Sequence, residues 1–212
     1  MITTPFVDIQ KRHPTLFDAA ILLFYVALVY VWFAWAPLVA SDYAALKHTD
    51  GRIWAMERHL FGERVEFYRL ANIAALYICT LFAYFITNRV LRDRAWLGRL
   101  AGVLFMANMV HTEAVMRIDG LAGYLGEAIL FLGLFSAYLA GRAKMAKVRH
   151  PVSILLWILV ICVVYSAANR ILFGSWGINL VPIVLLYEWG VAREHLNWPS
   201  GKWGVAAVAG IA

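Results

Sequence analysis

Six apolar runs dominate the sequence, at about 15–39, 67–90, 96–116, 121–140, 152–172 and 176–192. Each is close to the roughly 20 residues that a helix needs to cross the hydrocarbon core of a bilayer. Backbone N–H and C=O groups meet no water there, so each run must satisfy its own hydrogen bonds, and a helix does so within one segment. In a chain of 212 residues, six such helices take roughly 120 residues and leave no room for a sizeable soluble domain. The composition agrees, with 63% hydrophobic and 15% charged residues against about 45–50% and about 25% in a soluble domain. These observations predict an all-α polytopic membrane helix bundle, one integral domain over 1–212 with about six transmembrane helices in contact with the lipid bilayer. They exclude a secreted protein, a disordered chain and a membrane-anchored soluble enzyme, and they argue against nucleic acid as a partner.

The net charge of +6 is informative through its placement, because Lys and Arg collect on the cytoplasmic side of membrane proteins. In a six-span layout one side receives Lys11, Arg12, Arg89, Arg92, Arg94, Arg99, Arg142, Lys144, Lys147, Arg149, Arg193 and Lys202. On the other side the basic residues are mixed with Asp42, Asp50, Glu57, Glu63 and Glu66. The expectation is insertion in the plasma (inner) membrane with both termini cytoplasmic. No small-residue cleavage site follows Lys11, Arg12 and His13, so the first span is expected to stay in the mature chain. Cys79 and Cys162 lie within apolar runs, where a thiol behaves as a small hydrophobe.

The connection between the first two spans carries its own pattern. After Asp50 as N-cap, Ile53, Met56, Leu60 and Phe61 recur at helical spacing, with Arg52, Glu57, Arg58, His59 and Glu63 between them. This predicts an amphipathic interfacial helix over about 50–66, bent or broken at Gly62. Residues 203–212 are apolar but too short to span and stay unassigned.

Ionisable groups inside a membrane are costly, so each carries a functional hypothesis. They concentrate in the third and fourth runs as His111, Glu113, Arg117, Asp119 and Glu127. Glu113 and Arg117 are four apart and share a helix face, which predicts an ion pair. If the two runs form a hairpin turning at Asp119 and Gly120, His111 and Glu127 lie at equal depth and face each other. A histidine beside a carboxylate serves proton coupling or acid–base chemistry. A metal site needs three or four ligands, and His111 is the one histidine well inside a run, so no metal is predicted and any other cofactor stays unknown. Asn169, Arg170 and Asn179 extend the polar set from the fifth and sixth runs. Arg117 and Arg170 suit a carboxylate, a phosphate or a lipid head group.

Three functions are consistent with this pattern. The first is a small proton-coupled or anion transporter, with His111 and Glu127 as the protonatable pair, and with Arg117, Asp119, Asn169, Arg170 and Asn179 lining the binding site. The second is a membrane-embedded enzyme acting on a lipid or polyprenyl substrate at the outer leaflet, with His111 as base and Glu113 or Glu127 as acid partner. The third is an accessory subunit without chemistry. Gly120, Gly123, Gly126, Gly133, Ser136 and Ala140 give the fourth run a small-residue face on which a second copy or a partner helix can approach closely. The same face marks that run as the expected packing centre.

Overall fold

The structure, a computed structural model, describes residues 14–37, 42, 51–91, 95–145, 151–175 and 177–192. Helix α1 (Pro14–Tyr30) tightens into a 3₁₀ turn at Val31–Trp35, and α2 (Arg52–Phe61) precedes the long α3 (Val65–Val90). Helices α4 (Ala95–Met106) and α5 (Met109–Met116) follow. A π-helical turn, Leu121–Leu125, leads into α6 (Gly126–Met145). Helix α7 (Pro151–Phe173) and α8 (Leu180–Tyr187) come next, and α8 ends in a second π-helical turn, Glu188–Ala192. No strand occurs among the described residues.

Among the described residues four helical segments are long and apolar enough to cross a membrane: Pro14–Trp35, Val65–Val90, Leu121–Lys144 and Ser153–Phe173. They match the first, second, fourth and fifth runs. The third run departs from expectation because it is broken. Asn108 adopts extended backbone angles, and its side chain accepts a hydrogen bond from the Val110 N–H as the N-cap of α5. The 12 residues of α4 therefore cover only about 18 Å of a core that is about 30 Å thick. The Tyr30 hydroxyl donates to the Met106 carbonyl at 2.7 Å, taking up an acceptor at the break. The sixth run is also shorter than predicted, with α8 beginning at Leu180 after Asn179; Trp176 and residues 193–212 lie outside the described residues.

Helix α3 is the packing centre, burying Tyr68, Arg69, Asn72, Ala75, Leu76, Cys79, Thr80 and Tyr84 against α1, α4, α5 and α6. The small residues before and at the start of α6 serve contacts within the chain. A Cβ on Gly120 would collide with the Ala114 carbonyl and with Asn72, and one on Gly126 with the Phe173 ring.

At the end of the bundle away from α2, ion pairs on the buried or largely buried carboxylates Asp18 and Glu188 join the helices. Asp18 of α1 takes Arg99 of α4 at 2.8 Å and the Tyr84 hydroxyl of α3 at 2.8 Å. Glu188 takes Arg142 of α6 at 2.7 Å and also the Tyr138 hydroxyl. Val90 packs into the cluster that holds Tyr138 and Tyr187, so both groups lie at one end. Each carboxylate thus meets a cation and a hydroxyl, the arrangement a buried charge requires.

Helix α2 ends at Gly62, whose φ of 57° only glycine adopts readily, as its sequence suggested; the expected N-cap Asp50 lies outside the described residues. Its inward face differs from expectation. Ile53, Trp54 and Phe61 pack on Tyr68, Ile118 and Ala122, and Glu57 is buried, while Met56 and Leu60 are 51% and 63% exposed. The surface beneath α2 is protein, and the Tyr68 ring lies 5.6 Å from Trp54 and 5.2 Å from Phe61. That aromatic contact sets the rotation of the helix and turns Met56 and Leu60 outward.

Candidate functional site

A cleft of about 270 Å³ opens between α5 and the turn into α6, lined by Val110, Glu113, Ala114, Arg117, Asp119, Gly120, Gly123 and Tyr124. Val110, Glu113 and Ala114 are three and four residues apart and so share one face of α5. Arg117 ends that helix with extended backbone (φ −75°, ψ 142°), which removes the i,i+4 geometry expected to pair it with Glu113. Its guanidinium forks onto Asp119 instead, with Nε donating to Oδ1 at 2.9 Å and Nη2 to Oδ2 at 2.8 Å. These hydrogen bonds raise the Arg117 pKa above its ordinary value, and the charges of Asp119, Glu113 and Asp42 add to the effect. Glu113 is exposed in the cleft and makes no ion pair among the described residues.

The cleft rests on a buried polar knot that sequence reasoning missed. The last carbonyls of a helix lack intrahelical partners; here α3 supplies them. Asn72 donates to the Arg117 carbonyl at 2.5 Å and to that of Val115 at 3.4 Å, and Arg69 Nε donates to the Met116 carbonyl at 2.9 Å. Arg69 also donates to the carbonyls of Ala36 and Pro37 at the end of the first span and pairs with Asp42 at 3.3 Å. The other Asp42 oxygen accepts the Ile118 N–H at 3.0 Å. The sequence did carry a signal: Arg69 and Asn72 are three apart inside an apolar run, so they share a buried face. Asp42 had no such signal, being one of several acidic residues in a charged connection.

The other predicted residues are distributed differently. His111 is buried with its ring 4.2 Å from that of Phe105 and 5.6 Å from that of Tyr124, a cleft residue, and its Nδ1 has no hydrogen-bond partner. Glu127 accepts the Ser175 hydroxyl at 2.7 Å, and Ser175 accepts from Asn169 at 3.1 Å. The structure therefore brings Glu127 and Asn169 together through a residue the sequence had not singled out, and no hydrogen bond joins His111 to Glu127. Facing at equal depth would require two straight helices. The break at Asn108 and the π-helical turn, distorted at Gly123 (φ −107°, ψ −113°), change the relative rotation of the two segments. Arg170 is exposed and donates to the Gly174 carbonyl at 2.5 Å. Asn179 is exposed at the start of α8. Neither lines the cleft.

Among curated proteins the chain is similar to "Protein O-mannosyl-transferase TMTC3" of Mus musculus, 28% identical over 162 residues, and to the protein of the same name in Homo sapiens, 25% identical over 162 residues. Each match covers 76% of this chain and 15% of the relative, so the chain spans about 15% of the length of the relatives it matches. A stretch of 162 residues within 212 includes the cleft residues, 110–124, wherever it begins. No family model and no solved structure matches the chain.

Proposed function

We propose that this chain is a membrane-embedded part of a sugar-transfer enzyme, and that the cleft between α5 and α6 is where a lipid-linked, phosphate-activated sugar meets a hydroxyl acceptor. The observation that carries this reading is the pairing, in one cleft, of the unpaired carboxylate Glu113 with the held guanidinium Arg117. The similarity to proteins named O-mannosyl-transferases over a stretch that includes the cleft supports it.

The chemistry follows from the two groups. Glu113 takes the acceptor's hydroxyl proton as the acceptor oxygen bonds to the anomeric carbon of the sugar. The bond from that carbon to the phosphate oxygen breaks, and the phosphate leaves with the electron pair. Arg117 has five N–H donors, of which Nε and one on Nη2 go to Asp119; those on Nη1 are free to hold the leaving phosphate. Asp119 fixes the guanidinium plane, and His111 supports the wall through Tyr124. On the loop charges, the cleft opens on the outer side of the plasma membrane with both termini cytoplasmic.

The test uses the full chain in lipid nanodiscs with a polyprenyl-phosphate mannose and a peptide bearing serine and threonine, and follows mannose on the peptide. Wild type is expected to transfer, with Glu113→Gln and Arg117→Ala reduced by a factor of about 100 or more. Proteoliposomes that carry an anion or proton flux without any transfer would return the protein to the transporter reading. Transfer unaffected by both substitutions would remove the cleft from the mechanism.

A further inference from the structure

Among the described residues Glu57 is the one buried carboxylate whose two oxygens both lack a hydrogen-bond partner. Its side chain is 1% exposed, on the inward face of α2. Elsewhere the buried carboxylates are met by cations, as Asp18 is by Arg99 and Asp42 by Arg69. Burying an unpaired carboxylate is so unfavourable that such a group keeps its proton instead.

We propose that Glu57 is a proton-dependent latch, which holds α2 against the α5–α6 turn when protonated and releases it when ionised. Three features of the geometry point there. First, α2 is bounded by glycines at positive φ, Gly51 at 127° and Gly62 at 57°, so the helix is a short strap joined to the bundle through two backbone conformations that glycine tolerates. Second, its apolar face rests on Tyr68, Ile118 and Ala122, with the Tyr68 hydroxyl donating to the Gly62 carbonyl at 2.9 Å, and the helix also packs on α7. Third, the charged group that acts on Glu57 is Asp119, a wall of the cleft, and it carries the same sign.

Among the described residues no cation forms an ion pair with Glu57. On α2 itself Arg52, Arg58 and His59 are exposed; on α3 Arg69 is committed to Asp42 and to backbone carbonyls; in the turn Arg117 is forked onto Asp119. On α7, whose Leu172 carbonyl lies against Gly51, Arg170 is exposed and donates to Gly174. Burial and then the Asp119 charge raise the Glu57 pKa from 4.5 to about 7, so ionisation falls near neutral pH. Through that interval the docking equilibrium weakens about tenfold for each unit of pH. Because Ile118 is covered by α2 and Asp119 follows it in the turn, release of the strap uncovers the segment whose Asp119 holds the Arg117 guanidinium.

The experiment is hydrogen exchange of the α2 amides in nanodiscs at pH about 5 and about 9, corrected for intrinsic exchange rates, together with infrared detection of a protonated carboxyl. Wild type is expected to show a carboxyl C=O band at the lower pH that Glu57→Gln lacks. Its α2 amides should be at least about tenfold less protected at the higher pH. Glu57→Gln, neutral at both values, should keep α2 protected throughout. Unchanged protection of the α3 amides around Leu76 serves as the control for folding. Equal protection of wild-type α2 at both values, a Glu57→Gln profile that follows wild type, or an α2 exposed at both values in Glu57→Gln would each overturn the latch. None of these readouts depends on sugar transfer.

Discussion

Arg69 and Asp42 form an ion pair at 3.3 Å in which the two side chains are 1% and 0% exposed, and through it the end of the first span, the core helix α3 and the turn after α5 are fastened together. Besides Asp42, the guanidinium serves the carbonyls of Ala36, Pro37 and Met116. Removing it strands a buried charge and several acceptors together. Arg69→Met is therefore expected to destabilise the fold by about 3–5 kcal/mol, read as a lower midpoint of unfolding in detergent. Arg69→Met combined with Asp42→Leu should recover part of that loss, because the stranded charge is gone; a double variant no better than the single one would contradict this account.

Gly120 is held to its size by a close approach to the Ala114 carbonyl and the Asn72 amide. Gly120→Ala should cost about 1–3 kcal/mol by overpacking. It should also displace Asp119 and so loosen Arg117. Thermal unfolding measures the first effect, and the affinity for a phosphate-bearing donor measures the second.

Arg117→Lys keeps the charge and loses the fork that engages both Asp119 oxygens. On the proposed reaction it should raise KM for the lipid-linked donor by about tenfold, with a smaller effect on kcat. Equal activity of Lys and Arg at this position would mean that the planar geometry is not used.

His111 stacks between Phe105 and Tyr124 and does not line the cleft. His111→Phe should thus fold normally and retain transfer within about threefold, its ring replacing the imidazole in the stack. A loss as large as that of Glu113→Gln would restore the histidine to the role of base that its position in the sequence suggested.

Stability should depend on pH through Glu57. The unfolded chain loses the proton near 4.5 and the folded one near 7, so between those values only the folded state holds it. Stability is then full below about pH 4.5, falls as pH rises to about 7 and is flat above. Unfolding midpoints across this range should show that slope in wild type and lose it in Glu57→Gln.

The apolar runs were legible because a bilayer leaves a chain few choices: a long uncharged run must be a helix whatever surrounds it. Hence the all-helical architecture, α2 and its stop at Gly62, and the grouping of Glu113, Arg117 and Asp119 near one turn all follow from local sequence. What local sequence does not contain is the rotation of one helix against another. That rotation decided that Glu127 joins Ser175 rather than His111, while the extended backbone that ends α5 at Arg117 turned its guanidinium to Asp119 rather than Glu113. The rotation also turned Glu57 inward in place of Met56. Each outcome depends on a break or a contact between distant segments. Asn108 interrupts a run that hydropathy reads as continuous, Gly123 distorts the turn into α6, and the Tyr68 ring fixes how α2 lies. Apolar content is set residue by residue, so it fixes where a helix can sit; side-chain pairing is set by packing across the chain, so only the tertiary structure fixes which charges meet.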